Sequence, residues 1–108
     1  MDRVNLVFEA LSSTPRRRIL SYLSAASLTA GEISERFEMS KPALSKHLRV
    51  LEMANLIHSE KKGQYIHYSL NRDNLVTSLH DFAANFCPQG SSIKKESQQL
   101  SKSNKKDQ

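Results

Sequence analysis

Pro42, Ser45, Lys46 and Arg49 are the residues of this chain whose types and spacing suit a shared chemistry. They lie in the stretch 29–56, TAGEISERFEMSKPALSKHLRVLEMANL, where Leu44, Leu48 and Leu51 recur at i, i+4 and i+7 and make one buried stripe. With Leu44 at zero and about 100° per residue, Ser45 falls at about 100°, Arg49 at about 140°, Pro42 at about 160° and Lys46 at about 200°. The four therefore point away from the core together. A serine hydroxyl bonds several base types and lysine favours guanine, so Ser45 and Lys46 are suited to base edges in a DNA major groove. Arg49 lies a turn further on and suits a backbone phosphate. Lys41 opens the helix, where free N–H groups and the helix dipole also favour a phosphate. The bland alternative is a merely solvated polar face, the commoner case for an isolated helix. The neighbouring elements decide between the two.

Thr29 and Glu32 form a capping box, and Ala30, Ile33 and Phe37 follow at helical spacing. Glu38-Met39 is long enough only for a turn. Ser40 caps the second helix, with Lys41 first and Pro42 second, where a missing N–H costs nothing. Two short helices about a tight turn are the arrangement that puts a helix into the major groove. Downstream, Ile66, Tyr68 and Leu70 alternate with His67 and Ser69, and Lys62-Gly63 marks a turn. The pattern predicts a β-hairpin with strands at 56–61 and 64–70. Its tip would carry Lys61, Lys62 and Gln64, placed as a wing to touch backbone or minor groove. Lysines also guard ordinary edge strands.

Upstream, residues 3–12 form an amphipathic helix with Val4, Val7, Phe8 and Leu11 on one face. Thr14 is expected to cap the next helix, with Pro15 at its first position and Ile19, Leu20, Leu23 and Ala26 on one side. Arg16, Arg17 and Arg18 have the look of a nucleic-acid patch, yet arginines near a helix start equally pair with neighbours or lie solvated. Asn71 caps a last helix over 72–86, with Leu75, Leu79, Phe82, Ala83 and Phe86 as its apolar stripe. The expected fold is mainly α with a small β-hairpin. It is a winged helix-turn-helix of about five helices and a two-stranded antiparallel wing, spanning residues 1–87. A domain of this size buries only part of its apolar surface alone. Pairing the first and last helices across a two-fold axis would bury Val4, Val7, Phe8, Leu11, Leu75, Leu79, Phe82 and Phe86. It would also set two recognition helices about one DNA turn apart. The sequence thus predicts a homodimer; the alternative is that these helices close the core of a single chain.

Residues 88–108, PQGSSIKKESQQLSKSNKKDQ, have only Ile93 and Leu100 as apolar residues and are expected to be a disordered basic tail. This segment holds five lysines against Glu96 and Asp107, and so most of the chain's net charge of +5. The high isoelectric point is therefore weak evidence about the domain. The local clustering of Lys41, Lys46, Arg49, Lys61 and Lys62 is the better sign of a DNA partner. Cys87 is the single cysteine, which excludes an intrachain disulfide. There is no secretory signal, transmembrane run or phosphate-cradling glycine loop, and no spacing suggests a catalytic triad or a carboxylate pair. The expectation is a cytoplasmic DNA-binding protein and not an enzyme.

The stretches ALSSTPRRRILSYL, LTAGEISERFEMSKPALSKHLRVLEMANLI and EKKGQYIHYSL together resemble the ArsR family of winged helix-turn-helix regulators, most of all its SdpR-like branch. The likeness covers roughly residues 4–86 and rests on S-x-x-x-x-S-x-H-L-x-x-L from Ser40 and G-x-x-x-x-Y-x-L from Gly63. It implies a homodimer that binds an imperfect palindrome in double-stranded promoter DNA and usually represses. The family's DNA-contacting positions fall on Lys41, Pro42, Ser45 and Lys46. Pro42 departs from the polar residue many relatives carry and offers only van der Waals contact. Metal-sensing relatives carry a cysteine pair in the first helix of the helix-turn-helix, where this chain has TAGEISERF. Others carry a carboxylate/histidine set in the last helix, whose spacing Asp73, His80, Asp81 and Cys87 do not match. No metal or cofactor is therefore expected. Two other readings stay open: a metal- or redox-responsive repressor using Cys87, His80 and Asp81 at the dimer interface, and a winged-helix module that binds protein.

Overall fold

The computed structural model describes residues 2–88. Nearly all of the lysine-rich segment, from residue 89 on, lies outside the described residues. The elements in chain order are α1 (Arg3–Leu11), α2 (Thr14–Leu23), β1 (Leu28–Thr29), α3 (Ala30–Ser34), α4 (Lys41–Met53), β2 (Ile57–Lys62), β3 (Tyr65–Leu70) and α5 (Arg72–Ala84). The chain divides into one unit running to Leu75 and a second starting at Val76, within α5. The core belongs to the first unit. Val7, Ile19, Ile33, Leu51 and Leu56, drawn from α1 to the start of the hairpin, are its most deeply buried side chains.

Capping sets most helix starts. Asp2 accepts from the Asn5 N–H at 2.9 Å to open α1. Ser13, rather than the predicted Thr14, caps α2 by accepting from the Arg16 N–H. Pro15 thereby moves to the second helical position. The Thr14 hydroxyl accepts from Arg17 instead. α2 ends at Leu23, so Ala26 lies beyond it and is exposed, against expectation. The α3 capping box is present in both directions: Glu32 N–H to Thr29 Oγ1 at 3.1 Å, and Thr29 N–H to Glu32 Oε1 at 2.9 Å. These bonds hold the Glu32 carboxyl below its usual range. α3 stops at Ser34, so Phe37 sits in the turn, not in the helix. It still packs on the core.

The end of α4 is a Schellman motif. Leu56 N–H reaches Leu51 O at 3.0 Å, and Asn55 N–H reaches Glu52 O at 2.9 Å. Asn55 takes the left-handed conformation, φ 58°. The accompanying apolar contact falls to Leu51 and Leu56, both fully buried. Leu56 is thus spent on closing the helix, which is why β2 begins one residue later than the pattern suggested. A left-handed backbone costs a side chain with a Cβ roughly 1–2 kcal/mol, least for asparagine. Asn55→Val should therefore lose about 1–2 kcal/mol in urea denaturation, while Asn55→Gly should match or slightly exceed the natural chain.

β2 and β3 pair antiparallel from Ile57↔Leu70 to Lys62↔Tyr65, which leaves Gly63-Gln64 as a two-residue loop. Gly63 has φ 63° and Gln64 is not left-handed. Positive φ at the first loop residue alone is the pattern of a type II′ turn, which wants glycine there. The predicted two-stranded wing is present, and the sheet gains a third strand that the sequence did not show: β1 joins β3 through Leu28↔Tyr68 and Thr29↔His67, giving the order β1-β3-β2. Two residues cannot show a period, so β1 leaves no trace in the sequence. Along β3 only Tyr68 is buried. Ile66, in phase with it, is exposed because the hairpin runs on past the core.

Candidate nucleic-acid interface

The inner stripe of α4, Leu44, Leu48 and Leu51, is buried. Lys41, Pro42, Ser45, Lys46 and Arg49 are all exposed, as is the cap Ser40, whose Oγ accepts from Ala43 N–H at 3.2 Å. Phase alone gave this split, because the stripe fixes the rotation of the helix. Lys61, Lys62 and Gln64 are exposed as well, the lysines on β2 and Gln64 in the turn. Beside the α4 face runs a groove of about 380 Å³, lined by Ala30, Gly31 and Ser34 of α3, by Lys41, Leu44, Ser45 and Leu48 of α4, and by Tyr68.

The arginines behave differently from these lysines. Arg16 donates to Ala10 O at 2.8 Å and Glu9 O at 2.9 Å. Arg17 donates to Leu11 O at 2.6 Å. Both thus bond carbonyls of the last turn of α1, where intrahelical donors run out; Glu9 O also accepts from Ser12. Arg18 stacks on Phe37, its guanidinium carbon 4.8 Å from the ring centre. Arg36 donates to Glu32 O at 2.6 Å, and Arg72 donates to Ser24 O at 3.0 Å. The arginine triplet that resembled a nucleic-acid patch is therefore engaged in holding the fold. Among the described residues, the side chains of Lys41, Lys46, Arg49, Lys61 and Lys62 make no hydrogen bond or ion pair. Apart from Arg3 at the start of α1, the described cations left without an internal task are the ones on α4 and the wing.

His47, which falls between core and surface by phase, is half-buried, and its Nδ1 lies 3.2 Å from an Arg16 nitrogen. Spacing gave no hint of that contact, since the two residues are 31 apart.

The residues expected at a dimer interface divide. Val7 is 2% exposed and belongs to the core of a single chain, so its place in that set is corrected. Leu11 and Leu75 are partly buried against the same core. Val4 and Phe8 on α1 remain exposed, as do Leu79, Phe82 and Phe86 in the second unit. Val76, which the sequence reading passed over, is 57% exposed and joins them. α5 buries none of its residues. The His80 ring lies 3.7 Å from the Asp81 carboxylate, both well exposed, and Cys87 Sγ lies 3.7 Å from Ala83 O. Among the described residues no three His, Cys, Asp or Glu side chains come together as metal ligands would.

Residues 14–59 match the family described as bacterial regulatory protein, arsR family. The chain is 44% identical over 87 residues to the transcriptional repressor SdpR of Bacillus subtilis (strain 168), covering 81% of this chain and 96% of that protein. It is 35% identical over 82 residues to the transcriptional activator HlyU of Vibrio cholerae, covering 76% of each. Among solved structures, an ArsR-like transcriptional regulator from Rhodococcus sp. RHA1 superposes with a TM-score of 0.72 at 27% identity, over 96% of this chain and 91% of that one. With α3, the turn and α4 as its helix-turn-helix and β2–β3 as its wing, the chain belongs to the arsR family of bacterial regulatory proteins and is a winged helix-turn-helix DNA-binding transcriptional regulator.

Proposed function

We propose that this regulator is a homodimeric repressor that reads an imperfect palindrome by placing one α4 in each of two successive major grooves. Ser45 and Lys46 contact base edges, Pro42 gives van der Waals contact, and Ser40, Lys41 and Arg49 hold phosphates. Lys61, Lys62 and Gln64 of the wing touch the backbone or minor groove alongside. The observation that carries this reading is the partition of charge: the face of α4 and the wing keep their cations uncommitted, while Arg16, Arg17, Arg18, Arg36 and Arg72 are bound up in the fold. Dimerisation is supported by the exposed apolar residues of α1 and α5, Val4, Val76 and Leu79 among them. Repression is supported by the relative that matches over most of both chains. The domain comprises residues 1–87, with the segment beyond as a basic tail. It acts in the cytoplasm without a metal or cofactor and catalyses no reaction. Among the described residues no helix is long and apolar enough to cross a membrane.

The test is an anisotropy titration against the chain's own upstream DNA, with a random duplex as control and an arm with equimolar zinc. Tight, selective and zinc-indifferent binding is the expected result. Release by zinc would instead establish a metal sensor, and no preference over random DNA would leave a protein-binding module. A reporter under the bound promoter then reads the sign, and rising transcription would replace repression by activation. Within the same assay Lys46→Ala should cost about 1–3 kcal/mol on the specific site and relax the sequence preference there. Arg49→Ala should weaken specific and random DNA alike and lower the salt slope by about 0.9 per phosphate lost. Equal losses on both duplexes for Lys46→Ala would remove that lysine from base reading.

A further inference from the structure

Arg16 joins three helices of the first unit. It sits near the start of α2, its Nε and one terminal nitrogen donate to Ala10 O and Glu9 O at the end of α1, and its other terminal nitrogen meets His47 Nδ1 on α4 at 3.2 Å. A guanidinium has five N–H donors, no acceptor, and a charge it does not lose in a protein. Nδ1 must then be the acceptor in this contact, which requires a neutral ring with its proton on Nε2. Burial first, and the Arg16 charge second, hold His47 below its ordinary value of 6.5, so the required form is the one present at neutral pH.

His47 follows Lys46 directly and lies two residues from Ser45. Its ring anchors α4 outside the leucine stripe, on the helix that carries both. α1, at the other end of the contact, bears Val4 and Phe8 among the exposed apolar residues. We propose that Arg16 and His47 are a positioning pair for DNA reading, a pin that sets the angle of α4 against α1 and that opens when the His47 ring gains a proton. This rests on the function proposed above. A protonated ring turns an Nδ1–H toward Arg16, so the hydrogen bond is lost and two cations face each other at contact distance. Among the described residues no anion relieves them. α1 presents backbone carbonyls to the cluster, α2 presents Arg16, and among the described residues no carboxylate pairs with His47. On α4 itself the adjacent charged side chain is Lys46. Because the folded chain holds the ring below 6.5, the unfolded chain binds more protons in the window just beneath that value. The stabilising contribution is complete above about pH 6.5 and falls away as pH drops through the folded value.

The experiment measures the ratio of specific to random DNA affinity of the dimer of the whole 108-residue chain from about pH 8 down to the lowest pH at which circular dichroism shows the chain folded and NMR shows the His47 ring protonated. The ratio cancels the general gain in DNA affinity that any added positive charge brings. The natural chain is compared with His47→Asn, whose Oδ1 accepts near the Nδ1 position and does not titrate, and with Arg16→Lys, which cannot serve three acceptors from one planar fork. The natural chain should lose about tenfold in the ratio on acidification, the worth of one charge-assisted hydrogen bond. His47→Asn should stay flat, and Arg16→Lys should be depressed at every pH. Parallel pH profiles for the natural chain and His47→Asn would overturn the pin. Nitrogen NMR of the natural chain's imidazole gives a reading independent of variant folding. An unprotonated Nδ1 at neutral pH is expected, and a protonated one overturns the proposal. Absence of any specific DNA binding at pH 8 would be a different failure, that of the function itself, and would take the pin down with it.

Discussion

Leu79→Asp should convert the proposed homodimer to a monomer and lower its affinity for a two-half-site operator to near its affinity for random DNA, a loss of about a thousandfold or more. Leu79 is 39% exposed and α5 buries none of its residues, so an aspartate there places no charge in the core of a single chain. Across a two-fold interface the same substitution appears twice, and each carboxylate would have to be desolvated against apolar neighbours. The cost falls on association and not on folding. Val4→Asp on α1, at 45% exposed, should act in the same direction. Light scattering reads the mass, circular dichroism confirms the fold, and anisotropy reads the DNA. A Leu79→Asp protein that remains dimeric and binds its operator normally would place the interface elsewhere and remove the apolar face of α5 from it.

Leu51→Ala should have the largest effect on stability. Leu51 is fully buried, stands on the core stripe of α4 and accepts the Leu56 N–H that closes the helix. Removing its side-chain atoms leaves a cavity among residues that can relax only in part, at about 2–5 kcal/mol. For a domain of this size that corresponds to a fall in Tm of roughly 10 °C or more. Met53, two residues on and 62% exposed, is the control: Met53→Ala should stay within about 0.5 kcal/mol. Because Leu51 points away from Ser45 and Lys46, Leu51→Ala at low temperature should bind DNA in proportion to its folded fraction. A loss of affinity in fully folded Leu51→Ala protein would mean that the core stripe transmits its packing to the reading face.

The features read correctly from sequence share a length scale. The α3 capping box, the Ser40 cap, the phase of Leu44, Leu48 and Leu51 and the turn glycine of the hairpin each depend on residues within about two helical turns of one another. Local hydrogen bonds and a fixed 3.6-residue period govern them, so residue types and spacing suffice. The errors share a scale too. Exchanging Ser13 for Thr14 as cap is a choice between two adjacent hydroxyl residues that differ only in which backbone turns extended. Ending α3 at Phe37 follows the apolar period past the point where the backbone has already left the helix.

What the sequence alone determined is therefore the helix-turn-helix and its flank: two short helices, a basic wing and the exposure of Lys41, Pro42, Ser45, Lys46 and Arg49 on one face of α4. What only the tertiary structure decided is how the other charged and apolar residues are used. The guanidiniums of Arg16 and Arg17 reach six or more residues to carbonyls of α1, and Arg16 reaches 31 residues to His47. β1 exists only because β3 lies beside it. Val7 is core while Val4 and Phe8, on the same predicted face, are exposed. Each outcome depends on which distant element supplies the carbonyl, the ladder or the covering side chain. A helical period states which residues share a face, but the partner that covers that face, and where its cover ends, is set by packing between elements far apart in the chain.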